Sequence, residues 1–113
     1  MIGIDIVNIK RIEKMIEKFG DKALNRFLSP TEIKLLKSPQ SIAGYWAAKE
    51  AFSKAIGTGI GKECNFLDIE ILKNEKNKPY FSNETLKKFN LKNADLSISH
   101  DGDYAIAAVI VLK

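Results

Sequence analysis

Cysteine and histidine are scarce in this chain of 113 residues, which has one of each, and there are only three prolines. A single thiol excludes an internal disulfide and a CxxC metal site. No apolar run reaches the roughly 18 residues that a membrane-spanning helix needs, and the first ten residues, MIGIDIVNIK, lack the cationic start and apolar core of a signal peptide. We therefore expect a cytoplasmic protein with no membrane partner.

The overall composition is that of a folded protein with a mild excess of positive charge. Hydrophobic residues make up 45% and charged residues 28%, and the formal net charge is +4. This length suits one domain, so residues 1–113 are expected to form a single unit. The charge favours an anionic partner, but the 14 acidic residues make a nucleic-acid surface a poor explanation.

The hydrophobic periodicity predicts a mixture of helices and strands. Expected strands cover residues 2–7, 67–71, 79–81, 95–100 and 104–112, the last two forming a hairpin at Asp101-Gly102. Expected helices cover residues 9–19, a short segment after Ser29, residues 40–56 and residues 83–89. The predicted fold class is α+β, with an antiparallel sheet packed against a long central helix.

The last predicted strand is apolar on both faces. Ala105, Ala107, Val109 and Val111 alternate with a second apolar set, namely Ile106, Ala108, Ile110 and Leu112. One small domain seldom covers both faces of an antiparallel sheet, although a helix layer could cover the second. The pattern favours self-association.

One stripe of the long predicted helix is composed of small residues and two charges. At roughly 100° per residue, Ala43, Ala47, Glu50, Lys54 and Gly57 align. The simplest interpretation is a surface ion pair with i, i+4 spacing. The alternative is a ligand site, with alanines as its floor and the following GTGIG loop near a phosphate.

A second carboxylate, Asp5, lies inside the first predicted strand. It either caps a turn or pairs with a lysine, or it joins Glu50 in holding Mg²⁺, which prefers oxygen ligands and substrate phosphates. His100, at the end of a strand, is either a hydrogen-bonded structural residue or a group for phosphate binding and proton transfer. These residues are the candidate chemical groups.

Two further features concern cationic side chains. Lys10, Lys14 and Lys18 form one row on the first helix with Arg11 beside it, which fits either a solvated face or the docking of an acidic partner. Lys49 falls among apolar positions of the long helix. We expect its stem to lie along apolar surface and its ammonium to reach water or an anion.

Four motifs in order and spacing resemble those of the holo-acyl-carrier-protein synthases, the short bacterial phosphopantetheinyl transferases. They are GIDIV at 3–7, WAAKEAFSK at 46–54, KAIGTGIGK at 54–62 and SISH at 97–100. The similarity extends from Ile2 to the final strand. It implies the phosphopantetheinyl transferase fold, homotrimers with active sites between subunits, and Mg²⁺-dependent transfer of 4′-phosphopantetheine from coenzyme A to a serine of apo acyl carrier protein.

The resemblance also implies roles for individual residues. Asp5 and Glu50 match metal positions, Lys54 matches a phosphate-contacting lysine, and Glu50, Lys54 and His100 are the expected catalytic residues. Positions matching contacts to coenzyme A are Ser53, Lys54, Gly57, Thr58, Pro79 and His100. Arg11, with Lys14 and Lys18, is expected to bind the acidic carrier.

Three positions depart from the family pattern. Asn8 stands where many relatives have an acid, Tyr45 replaces a frequent arginine, and Asn77 replaces a glycine. Two rival functions remain open: a non-catalytic module that binds acidic proteins through the first helix, and a phosphotransferase that uses another nucleotide.

Overall fold

The computed structural model describes residues 1–113 as a mixed α/β fold with antiparallel sheets, as predicted. None of the helices is both long and apolar enough to span a membrane. The elements in chain order are β1 (Ile2–Asn8), α1 (Ile9–Phe19), α2 (Asp21–Phe27), α3 (Pro30–Leu35), α4 (Pro39–Ile56), a 3₁₀ turn (Phe66–Asp68), β2 (Ile71–Lys73), β3 (Pro79–Phe81), α5 (Asn83–Lys88), β4 (Asn93–Asp101) and β5 (Tyr104–Leu112).

The main sheet has three antiparallel strands in the order β1-β5-β4, and β2 and β3 form a separate pair. The predicted hairpin is confirmed, with Asp101 opposite Tyr104 and Gly102 at φ 57° in the turn. Helix α4 packs across one face of this sheet, which we call the inner face. The opposite, outer face is covered by no part of this chain.

Helix ends follow local sequence signals. Ser29 caps α3, and Glu32 completes a capping box by accepting a hydrogen bond from the Ser29 N–H. Ser38 caps α4 and Pro39 begins it, because proline suits the first helical position. Gly57 ends α4 in the left-handed conformation, with φ 89°.

Two sequence predictions differ from the structure. The strand expected at residues 67–71 is wrong: Asn65 and Asp68 form a capping box that winds Phe66–Asp68 into a 3₁₀ turn, and β2 begins only at Ile71. Helix α2 was not expected. It follows Gly20 directly and has no side-chain cap, so the sequence carries no start signal for it.

Glycine allows α4 to approach β1 closely. A Cβ atom on Gly3 would lie 1.9 Å from the Ala51 carbonyl oxygen and 2.7 Å from the Ala55 nitrogen. The backbone of α4 therefore rests directly on β1, and its last turns lie beside the middle of that strand. This contact sets the position of the acidic residue in β1 relative to the charged residues of α4.

Candidate active site

Asp5 and Lys54 meet where α4 crosses β1. The Lys54 Nζ lies 3.0 Å from the Asp5 Oδ1 and donates a second hydrogen bond of 3.1 Å to the Ile4 carbonyl oxygen. Asp5 pairs with Ala107 of β5, whose side chain is buried on the inner face. The Asp5 carboxylate therefore projects toward α4, with only 15% of its side chain exposed.

Glu50 lies one turn before Lys54 on α4 and belongs to the same charged cluster. Partial burial raises the pKa of Glu50, and the nearby Asp5 carboxylate raises it further, whereas Lys54 and Arg11 act in the opposite direction. Two carboxylates from different elements thus lie near one another beside a single ammonium. The structure brings together the three residues Asp5, Glu50 and Lys54.

The donor set of this cluster suits a hard cation. The chain has no cluster of three or more His, Cys, Asp or Glu side chains that could coordinate a metal ion. A cation at this site would therefore have only two protein ligands, Asp5 and Glu50. Two carboxylates alone leave most positions around a divalent ion open for water and phosphate oxygens, which is the coordination that Mg²⁺ favours. The absence of sulfur and nitrogen ligands from the cluster argues against structural zinc.

The loop after α4 is organised by Ser53. Its carbonyl oxygen accepts hydrogen bonds from the N–H groups of Gly57, Thr58 and Gly59, each 3.1 Å long. The Ser53 hydroxyl is fully buried and donates to the Glu50 carbonyl oxygen at 2.7 Å. Thr58 is exposed and its Oγ1 donates to the Gly59 carbonyl oxygen. Within one subunit, Thr58 is accessible to a ligand and the Ser53 side chain is not.

His100 and Pro79 lie apart from the charged cluster. His100 pairs with Ala105 and so shares the inner face with Asp5, but β5 separates their strands. Two inter-strand spacings amount to about 10 Å. His100 is exposed and forms no hydrogen bond in the chain, and Pro79 begins β3 in the second sheet. The fold of the chain does not bring these residues together with Glu50.

The alanine floor predicted on α4 is wrong. Ala43 and Ala47 are fully buried, so their small side chains serve close packing and not a ligand surface. The opposite arc contributes to the core as expected, with Tyr45 and Phe52 buried and Trp46 half-buried. Only the end of the stripe, at Glu50, Lys54 and Gly57, reaches solvent.

Lys49, on the same helix as Glu50 and Lys54, is fully buried. Its Nζ donates hydrogen bonds of 2.7 Å to Glu32 Oε1 and to the Phe27 carbonyl oxygen, and one of 3.2 Å to the Phe66 carbonyl oxygen. Glu32 Oε2 accepts from the Ile71 N–H. Burial lowers the pKa of Lys49 while Glu32 opposes the shift. Glu32 of α3 is therefore the anion that the Lys49 ammonium was expected to reach.

The cationic residues of α1 have different surroundings. Arg11 lies over the Trp46 ring, with 5.6 Å between the guanidinium carbon and the ring centroid. Lys14 and Lys18 are exposed and form no ion pair. Lys10 lies 3.9 Å from Asp103. Lys18 lies over the Phe19 ring at 5.3 Å from its centroid, so Arg11 and Lys18 both contact aromatic rings.

Two of the three departures from the family pattern have local explanations, and Tyr45 has none. Asn8 caps α1 by accepting a hydrogen bond from the Lys10 N–H, and Asn77 tolerates a left-handed φ of 66° in the turn before β3. Tyr45 is buried with an unpartnered hydroxyl. Burial and the nearby Glu32 raise the pKa of Tyr45 to about 12, so it remains neutral.

Comparisons with known proteins agree on one family. Residues 1–109 match the model of the 4′-phosphopantetheinyl transferase superfamily. The chain is 71% identical to a holo-[acyl-carrier-protein] synthase of Nautilia profundicola, over 100% of both chains.

Two solved structures are also similar. A Helicobacter pylori holo-[acyl-carrier-protein] synthase in complex with coenzyme A has a TM-score of 0.92 and 54% identity, covering 98% of this chain and 99% of its own. A Bacillus anthracis holo-(acyl-carrier-protein) synthase in complex with CoA (3′,5′-ADP) has a TM-score of 0.82 and 43% identity, covering 97% and 93%. The chain therefore belongs to the holo-[acyl-carrier-protein] synthase family within the 4′-phosphopantetheinyl transferase superfamily.

Proposed function

We propose that this chain transfers 4′-phosphopantetheine from coenzyme A to a serine of apo acyl carrier protein, with Mg²⁺ as cofactor and adenosine 3′,5′-bisphosphate as product. The observation that carries the proposal is the meeting of Asp5, Glu50 and Lys54 at the crossing of β1 and α4. Transfer to an acyl carrier protein supports fatty acid biosynthesis in the cytoplasm, a reducing location that fits the free thiol of Cys64.

Asp5 and Glu50 are the residues that would hold the cation. Bound there, Mg²⁺ would neutralise charge on the diphosphate of coenzyme A. Burial raises the pKa of Glu50 and the nearby Asp5 carboxylate raises it further, so a cation bound between the two carboxylates would offset unfavourable negative charge.

Lys54 and Glu50 then have separate roles in the transfer. The Lys54 side chain is half exposed, so its ammonium can leave Asp5 and contact the phosphate oxygens, where negative charge grows during attack by the serine hydroxyl. Glu50, on the same side of α4, accepts or orients the serine proton, directly or through water. Thr58 and Gly57 bind coenzyme A at the start of the following loop.

The carrier docks on α1 and α2. Arg11, Lys14 and Lys18 supply positive charge, and a cavity of about 370 Å³ adjoins them. The cavity combines apolar residues with two further cations, and its lining is Met15, Phe19, Lys22, Ala23 and Arg26. An apolar centre with a cationic rim fits a helical, acidic protein such as an acyl carrier protein.

The outer face of the main sheet is the proposed subunit interface of a homotrimer. Register places Ile2 opposite Ile110 and Ile6 opposite Ile106, so the exposed apolar residues of β1 and β5 form one continuous patch. Packing of this patch against other copies would bury it. The same assembly would bring His100 and Pro79 of one subunit toward the coenzyme A site at Glu50 of its neighbour, where Ser53 would contribute only by ordering the loop that holds Gly57 and Thr58.

Mass spectrometry of the carrier tests the proposal. Apo acyl carrier protein is incubated with this chain and coenzyme A, with Mg²⁺ in one reaction and EDTA in the other. We expect the mass of one phosphopantetheine to be added only with Mg²⁺. Carrier binding without any mass increase supports the binding-module alternative, and a mass increase that requires ATP instead of coenzyme A supports a different phosphotransferase.

A further inference from the structure

Trp46 links three parts of the proposed site. Its ring lies 4.7 Å from the Phe66 ring and 5.0 Å from the Phe27 ring, measured between centroids. Phe27 is fully buried at the end of α2, and Phe66 follows the glycine loop. The indole is thus held on two sides by other aromatic rings, and the Arg11 guanidinium lies over it.

The Arg11 guanidinium has no hydrogen-bonding partner in the chain, although its charge acts on the nearby Glu50 carboxylate. Arg11 is exposed, it forms no ion pair, and none of its N–H groups donates a hydrogen bond to the protein. An arginine stacked on an aromatic face keeps its in-plane N–H donors free, and these match the two oxygens of a carboxylate. Trp46 therefore restricts where Arg11 lies without occupying its hydrogen-bonding groups.

We propose that Trp46 is a positioning residue that presents the Arg11 guanidinium to a carboxylate of the acyl carrier protein. The inference rests on the proposed function, in which α1 receives the carrier. Trp46 acts by reducing the conformational freedom that Arg11 would otherwise lose on binding. A freely moving arginine with the same charge would bind the carrier less well.

The kinetic test compares Michaelis constants for the two substrates. A cation–π contact at an exposed site is worth a factor of about two to five in binding. We expect Trp46→Leu to raise the KM for apo carrier by about that factor and to leave the KM for coenzyme A unchanged, whereas Trp46→Phe, which keeps an aromatic face, recovers most of the loss. An equal rise in both Michaelis constants overturns the proposal.

A double-mutant cycle separates positioning from general packing. If Trp46 acts through Arg11, the pair Arg11→Ala with Trp46→Leu has the same carrier KM as Arg11→Ala alone. Multiplicative effects of the two substitutions contradict the inference. Lys76→Ala, which removes one charge from the exposed turn between β2 and β3, controls for the change in net charge.

Arg11→Lys covers the case in which Trp46→Leu fails to fold. Arg11 is exposed, so this substitution keeps the fold and the charge and removes both the planar group that stacks on Trp46 and the paired N–H donors that match a carboxylate. We expect it to raise the carrier KM as Trp46→Leu does. If the unaltered chain catalyses transfer but Arg11→Lys leaves the carrier KM unchanged, this inference alone is overturned. If the unaltered chain catalyses no transfer, the proposed function is overturned.

Discussion

The Lys54 ammonium lies 3.0 Å from the Oδ1 of Asp5, the carboxylate that we propose as a metal ligand. The same ammonium is the group proposed to contact the phosphates of coenzyme A. Two of the three N–H donors of this ammonium are used by Asp5 and the Ile4 carbonyl oxygen, so binding of the cation at Asp5 and movement of Lys54 toward a phosphate are expected to be coupled.

Lys54→Ala tests this coupling by separating metal binding from turnover. Without its ammonium, Asp5 is free, so Mg²⁺ is expected to raise the thermal unfolding midpoint of the variant at least as much as that of the unaltered chain. Turnover is expected to fall by about 10²–10³, the cost of losing one group that stabilises transition-state charge. Near-normal turnover at saturating Mg²⁺ would mean that Lys54 has no role in the transfer.

Glu50→Gln is expected to stabilise the metal-free fold while abolishing transfer. The pKa of Glu50 is raised in the folded chain, chiefly by burial, so its contribution to stability is present at low pH and is lost as the pH rises through the folded pKa. Glutamine does not titrate. The variant should therefore unfold at a higher temperature than the unaltered chain at neutral pH in EDTA, and the difference should shrink toward pH 4.

The change in unfolding midpoint on adding Mg²⁺ is a second test of Asp5 and Glu50 as metal ligands. Mg²⁺ is expected to stabilise the unaltered chain and to have little effect on Glu50→Gln, since one of the two proposed ligands has lost its charge. Asp95→Asn, at an exposed carboxylate on β4, is the matched control and should keep the magnesium response. A full magnesium response in Glu50→Gln contradicts the metal assignment.

Local signals in the sequence predicted most of the elements, and the errors lie where the signals were weak or conflicted with one another. The capping residues Ser29 and Gly57 and the turn at Gly102 mark their boundaries directly. The alternation through residues 67–71 indicated a strand, but the hydrogen bonds of Asn65 and Asp68 stabilise a 3₁₀ turn in its place. A capping box there was detectable in principle, since its residues are polar and three apart.

The site was predictable in part. Glu50 and Lys54 share a helix, so their spacing alone places them together. Their approach to Asp5 depends on the packing of α4 on β1, an approach that the sequence offered only as one alternative for Asp5 and that the family resemblance then favoured. The partner of Lys49 was not predictable, because Glu32 belongs to another helix and already had a local role as a capping residue.

Removing one partner of the buried pair of Lys49 and Glu32 is expected to be strongly destabilising. Both side chains are inaccessible to solvent, so Lys49→Met leaves a buried carboxylate without its counterion and should lower the free energy of unfolding by about 3–5 kcal/mol. Adding Glu32→Gln should recover part of the loss. Lys88→Met removes a partly exposed ion pair with Asp68 and should cost less than about 1 kcal/mol. If urea denaturation shows that Lys49→Met and Lys88→Met lower the free energy of unfolding equally, the buried pair is no more important than the exposed one.

Charge on the outer sheet face is expected to disrupt self-association. Ile4 is 58% exposed in the middle of the apolar patch, and Ile4→Lys would bury an ammonium in the proposed interface. Light scattering should show a trimer for the unaltered chain and monomers for the variant, with loss of transfer. Leu35→Lys, at an exposed leucine on α3, is the control. A monomeric unaltered chain at micromolar concentration would remove the trimer prediction.

Gly3 provides the sharpest test of how the fold positions the site. A methyl group at this position would overlap the Ala51 carbonyl oxygen, and the helix backbone cannot yield as a flexible side chain would. Gly3→Ala should therefore lower the free energy of unfolding by ~3 kcal/mol and move α4 away from β1. The pairing of Lys54 with Asp5 would then be lost.

Gly61→Ala is the matched control for Gly3→Ala, because a Cβ at Gly61 meets no atom within 4 Å and its backbone is not left-handed. We expect the control to unfold as the unaltered chain does. If Gly3→Ala folds but α4 is displaced, Mg²⁺ should no longer raise its unfolding midpoint, since Asp5 and Glu50 would be too far apart to share one ion. A normal unfolding midpoint and magnesium response in Gly3→Ala would show that the contact between β1 and α4 does not position these carboxylates.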